Sequence, residues 1–155
     1  MTARGALLAG ALAIGALASV VAHATVIGDY GGHVKGEPAS FLSFDVERTA
    51  TGKKKVRRIF TGSIPFDCEV GTPGVTPPMK IKGAFRIAHR EFHGKGETVA
   101  IGFDPTGKIR GQLRKGGKAR GTIRLFGELD TNPGSDCDTG VLEWRAEKNP
   151  LASRH

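Results

Sequence analysis

Four groups of residues in this chain have the types and spacing to do chemistry. His89, Glu91 and His93 stand at alternate positions in His89-Arg90-Glu91-Phe92-His93. On an extended chain such side chains project to one side, and two His with a carboxylate form a ligand set for zinc or iron. The segment is flanked by glycine and has no third His nearby, so it also reads as a solvated hairpin tip. The stretch from Asp130 to Asp138 (Asp-Thr-Asn-Pro-Gly-Ser-Asp-Cys-Asp) is rich in oxygen ligands of the kind calcium takes. Its glycine comes one place early and its twelfth position is Val141 rather than Glu, so it is not an EF-hand loop. Asp, Asn, Pro and Gly are also ordinary turn residues. Asp45 and Glu47 share one face of an alternating segment, as a glycosidase pair does and as outward charges on any strand do.

The fourth group is basic. The octets Gly107–Arg114 and Gly117–Arg124 share Gly, Lys, Arg, Gly and Arg at the same places, ten residues apart. Each alternates small or apolar residues with polar or basic ones, the period of a half-buried strand. Lys115-Gly116-Gly117-Lys118 between them supplies the glycines of a hairpin turn. Paired in register, Lys108, Arg110, Arg114, Lys118, Arg120 and Arg124 cover one face, which Lys80, Lys82 and Arg86 extend. Like charges facing each other across strands repel, so this clustering predicts a surface for a polyanion. Few aromatic residues accompany it, which favours phosphate or sulfate contact over base stacking on single-stranded nucleic acid. Gly-x-Ser-x-Gly, HExxH and phosphate-loop patterns are absent, and nothing calls for a cofactor.

The elements that must position these residues are strands. Residues 1–24 read as a secretory leader: Arg4, then an apolar run from Ala6 to Val21, then Ala22-His23-Ala24 as a cleavage site. The remainder, 25–149, is one domain's worth of sequence, with 150–155 as a disordered tail. The chain has 155 residues and a formal net charge of +8, of which the leader removes only Arg4. A basic exported domain tends to stay near acidic polymers. The two cysteines, Cys68 and Cys137, read as one disulfide in an exported protein.

Alternation predicts a strand over Ser40–Glu47 with Leu42, Phe44 and Val46 inward. A basic run, Lys53–Arg58, leads into Ile59-Phe60-Thr61 with broken alternation, the mark of a bulge. Ile64–Val70 places Phe66 and Cys68 inward, with the disulfide tying two sheets together. A long strand is expected over Met79–Ile87, a polar connection over His89–Gly96, and a return strand with Val99, Ile101 and Phe103 inward. Leu129–Asp138 reads as a loop and Thr139–Lys148 as the last strand, with Trp144 packed against Phe66, Phe85 and Phe103 beside the disulfide. The sum is an all-β domain of about 8–10 short strands, an antiparallel β-sandwich or flattened barrel, preceded by a signal-peptide helix.

Cys137-Asp-Thr-Gly-Val-Leu-Glu-Trp144-Arg-Ala146 resembles the Cys-x-Thr-Gly-x-x-x-Trp-x-Ala ending of small secreted bacterial proteins, many from actinobacteria. Ile81-Lys-Gly-Ala-Phe85 and Ile101-Gly-Phe-Asp-Pro-Thr106 are similar to central strands of that group. The resemblance implies a disulfide-tied β-sandwich and brings no catalytic residues. The expectation is a secreted or envelope-associated, non-catalytic protein that turns a basic sheet face toward anionic polymers or glycans. The alternatives are a metal-dependent extracellular enzyme built on His89, Glu91 and His93, and a purely structural envelope protein.

Overall fold

The computed structural model describes residues 26–99, 105–129 and 132–149. Within them the chain forms β1 (Gly28–Val34), β2 (Glu37–Arg48), β3 (Lys54–Gly62), β4 (Pro65–Cys68), β5 (Gly74–Val75) and β6 (Met79–Ile81). There follow β7 (Phe85–Arg86), β8 (Glu91–Val99), β9 (Thr106–Leu113), β10 (Lys118–Leu129), β11 (Asn132–Asp138) and β12 (Leu142–Lys148). The fold is all-β, and the choice between sandwich and barrel resolves in favour of the barrel. Eight antiparallel strands run in the order β12-β1-β2-β3-β6-β8-β9-β10, and pairing of Lys118–Ile123 in β10 with β12 closes the ring. The later part of β10 leaves the barrel to pair with β11, on which β4 and β5 continue as a side sheet.

Alternation decides what faces the axis. Leu42, Phe44 and Val46 of β2, Ile109 and Leu113 of β9, Ile123 and Leu125 of β10, and Trp144 and Ala146 of β12 are all buried. A barrel of eight strands has an interior that side chains can fill. Here aromatic rings fill it. Tyr30 stacks on Phe44 with centroids 5.0 Å apart. Phe44 meets the edge of Trp144 at 5.7 Å and the tilted ring of Phe92 at 5.6 Å. The Tyr30 hydroxyl donates to the Val26 carbonyl at 3.0 Å, so its burial leaves no polar atom stranded.

These rings fit because glycines stand where they press. A Cβ on Gly111 would lie 2.3 Å from Phe92 and 2.8 Å from Trp144. One on Gly121 would lie 1.9 Å from the Arg110 carbonyl oxygen and 2.7 Å from Trp144. Phe85 presses on Gly94 in the same way, and Ile81 on Gly96. The glycine-rich strands are therefore seats for rings and branched side chains, rather than points of flexibility.

This packing explains where the structure departs from the sequence pattern. His89–Gly96 is not a polar connection: all but its first two residues belong to β8, whose inward positions are Phe92, Gly94, Gly96 and Thr98. Glycine carries no hydrophobic signal, so the alternation does not show. The parity beyond it is also reversed, because Thr98 is buried and Val99 is exposed. Ile101 and Phe103 lie outside the described residues, as do the leader and tail. The expected strand Met79–Ile87 is interrupted, and both β6 and β7 pair with β3. Leu129–Asp138 is largely strand, since β11 completes the pairing of the end of β10. Trp144 is buried as expected, but its described ring partners are Phe44 and Phe92. The bulge expected near Arg58 is present as a register shift between β2 and β3.

Cys68 and Cys137 form the disulfide, and they are direct cross-strand partners of β4 and β11. The bridge joins neighbouring strands of the side sheet, not two faces of a sandwich. It closes a loop of 69 residues, for which chain entropy contributes about 4 kcal/mol.

The ring seats give a direct test. Gly121→Ala forces a methyl group into the Arg110 backbone and the Trp144 ring, and overpacking of this kind costs about 1–3 kcal/mol. The variant is expected to melt several degrees lower, with a shifted emission spectrum from Trp144, the chain's one tryptophan. An unchanged melting curve and spectrum would contradict the seating.

Candidate functional site

The basic hairpin forms as its repeat predicts. Gly116 and Gly117 take left-handed φ values of 74° and 71° in the turn, and β9 pairs with β10 over its full length. Lys108, Arg110, Arg114, Lys118 and Arg120 are exposed on the outer face. Register then sets three outer rows across the strands. The first is Glu91, Gln112, Arg120, Arg145; the second is His93, Arg110, Thr122, Glu143; the third is Lys95, Lys108, Arg124. Lys95 and Arg145 join the cluster from β8 and β12, strands whose neighbourhood to the hairpin is a matter of topology and not of local sequence. Lys80 does not extend the face, because it leans the other way, 5.9 Å from the centre of the Phe60 ring on β3. Arg86 pairs with Lys55 on that same strand.

Between the first two rows lies an inward row: Phe92, Gly111, Gly121, Trp144. With no Cβ at its centre, the wall can sink toward the axis there. The outer surface above it is a groove of about 750 Å³, walled by the side chains of those two rows. Phe92 and Trp144 are buried beneath it, so the floor of the groove offers no exposed ring, and the one aromatic ring on its walls is the His93 imidazole. Arg110, Arg120 and Arg145 form no salt bridge among the described residues. Glu143 closes one end, and a hydrogen bond from Lys35 at 3.1 Å holds its carboxyl below the usual range, helped by the fields of Arg145 and Arg120. Glu91 closes the other end and accepts a hydrogen bond from Gln112 at 3.2 Å.

The third row is built differently. Lys108, Arg124 and Lys95 gather over Phe126 at 4.9, 5.2 and 5.8 Å from its centroid. The negative face of an aromatic ring attracts cations, which offsets part of their mutual repulsion. Arg124 is not a free cation: its guanidinium holds both oxygens of Asp138, with Nε at 3.0 Å from each. That contact keeps the Asp138 carboxyl below its ordinary range. Of the six residues expected to form the basic face, five are free of salt bridges among the described residues and Arg124 is partly neutralised.

The other candidates separate. His89 takes φ 48° and Arg90 φ 69° in the tight turn that bridges Ala88 to Glu91. Glu91 and His93 then point outward on β8, where Gln112 and Arg110 are their cross-strand neighbours. Among the described residues no group of three or more His, Cys, Asp or Glu side chains is placed to hold a metal ion. Asp130 lies outside the described residues, and Asp138 serves Arg124.

Asp45 is engaged in a cluster that local sequence does not disclose. Its cross-strand partner on β1 is Asp29, which shares a hydrogen bond with it. Arg58, in the left-handed region at φ 50° beside the bulge, hydrogen-bonds to Asp45 and approaches Glu47 at 3.8 Å. Burial, and then the hydrogen bond that the protonated Asp45 carboxyl donates to Asp29, push Asp45 up to about 6, against the pull of Arg58.

Neither a family model, nor a curated protein, nor a solved structure matches the chain. Its geometry and chemistry therefore carry the functional reading.

The Asp29–Asp45 pair makes stability depend on pH in a stated direction. With Asp45 at about 6 in the fold and about 3.9 unfolded, the native state holds the extra proton between those values. Stability from this group is therefore present at low pH and lost as pH rises through about 6. Asp29→Asn removes the like charge and leaves the Arg58 contact. It is expected to flatten the melting-temperature profile across that window and raise the melting temperature at pH above 7. A profile parallel to the wild type would contradict the coupling.

Proposed function

We propose that this is a non-catalytic extracellular or envelope protein that binds an anionic polymer or glycan through the outer face of β8, β9, β10 and β12. The observation that carries this reading is the direct opposition of Arg120 to Arg145, with Arg110 one strand over and no salt bridge to any of the three among the described residues. Like charges facing each other across a sheet are destabilising, and an anion between them converts that repulsion into binding energy. Lys95 and Lys108 repeat the arrangement two rows away. The disulfide supports export, since such bonds persist in oxidising compartments. No helix among the described residues is long and apolar enough to cross a membrane.

The reading predicts salt-dependent retention. Lys108→Ser, Arg110→Ser and Arg120→Ser together alter exposed side chains and leave the core intact. The triple variant is expected to elute from heparin and polyphosphate columns at clearly lower salt than the wild type. Its affinity should depend less steeply on salt, by roughly one unit of slope for each cation removed from the face. A folded triple variant that elutes with the wild type would show that the face serves solubility only.

A further inference from the structure

The groove above Gly111 and Gly121 has a charge pattern more selective than a uniform basic patch. We propose that its ligand is an acidic polysaccharide, a chain in which anionic groups alternate with neutral, hydroxyl-bearing positions; this rests on the basic-face reading above. Of its three arginines, Arg110 and Arg120 stand on the two middle strands, β9 and β10, and Arg145 stands opposite Arg120 on β12. Their planar forks match carboxylate and sulfate groups with paired hydrogen bonds. Carboxylates stand at both ends, Glu91 on β8 and Glu143 on β12. A polymer charged at every unit, such as polyphosphate or a nucleic acid backbone, brings an anion against one of these carboxylates wherever it is seated. A sugar chain instead meets them with hydroxyl groups, which donate hydrogen bonds to carboxylate oxygens.

The floor argues the same way. Phe92 and Trp144 lie under the glycine backbone and are closed to solvent, so an unpaired base finds no ring on the floor and only the single imidazole of His93 on the walls, too few for successive bases to stack. Thr122 and Gln112 add a hydroxyl and an amide between the charges, groups that suit a ligand with neutral polar surface. From β8 to β12 the groove spans three inter-strand spacings, roughly 14 Å, room for a short run of sugars lying across the strands.

Calorimetric titration of the protein with a short hyaluronan oligosaccharide, which carries a carboxylate on every second sugar, with polyphosphate and with single-stranded DNA tests this. The double variant Glu91→Gln, Glu143→Gln becomes more positive, so plain electrostatics predicts tighter binding to every anion. The proposal predicts opposite signs: affinity for the acidic oligosaccharide falls at least about threefold, while affinity for polyphosphate rises. Arg145→Ser, which lies outside the hairpin, is expected to weaken the oligosaccharide about tenfold, as loss of a charge-assisted hydrogen bond does. If the double variant binds all three anions more tightly, or if the wild type prefers polyphosphate or DNA, selectivity for acidic glycans is overturned while the basic-face reading stands. If the wild type binds none of the three, the basic-face reading falls with it.

Discussion

A ring can occupy the axis of a narrow antiparallel barrel only where the strand beside it gives up its Cβ, and this exchange governs the whole molecule. Phe92 and Trp144 need Gly111; Trp144 needs Gly121; Phe85 needs Gly94. Trp144 is the cross-strand partner of Gly121 on the closing strand, so the contact that seats the largest ring is also the one that completes the barrel. Interiors are packed to crystal-like density, and here that density is reached by matching large against absent side chains. The disulfide has no part in this interlock. It ties β4 to β11, the strand that pairs with the late part of β10.

The same glycines shape the surface. Strands that pack glycine inward can approach the axis, and the outer residues that flank those glycines then stand around a depression. Because parity is strict along a strand, Arg110, Gln112, Arg120 and Thr122 must be the residues on its walls once Gly111 and Gly121 are committed to the core. Core packing and candidate binding site are thus two faces of one segment. A repeat that keeps Gly and Arg at fixed offsets satisfies both demands at once. The Asp29–Asp45–Arg58 cluster lies on β1, β2 and β3, away from this wall, and its consequence is for stability against pH.

What is legible in the sequence follows from this arrangement. The Gly107–Arg124 hairpin, its turn, the inward sets of β2 and β12 and the burial of Trp144 are all readable, because apolar residues or turn glycines mark them locally. β8 is not readable, because two of its inward positions are glycine and its outward ones are mostly charged, which looks like a loop. β11 is obscured for the related reason that Asn, Pro, Gly, Ser and Asp favour turns, and only its pairing with β10 makes it a strand. The repeat points to all six hairpin cations but not to Lys95 and Arg145, since β8 and β12 flank the hairpin only in the closed barrel. Asp138 as the partner of Arg124, and Asp29 as the partner of Asp45, likewise depend on cross-strand register, which a single strand's pattern does not carry. Closure of the barrel, rather than two stacked sheets, is equally a property of long-range pairing.

Binding at the glycine-floored groove is tested most directly by a nuclear magnetic resonance titration of isotope-labelled protein with an acidic oligosaccharide, following the backbone amides of every strand. Shifts are expected to concentrate on the central rows of β8, β9, β10 and β12, with the amides of Gly111 and Gly121 among the largest and with β2 and β3 silent. Shifts centred on the Asp29–Asp45–Arg58 cluster or on the β4–β5 side sheet, or none at saturating ligand, would contradict binding at this wall.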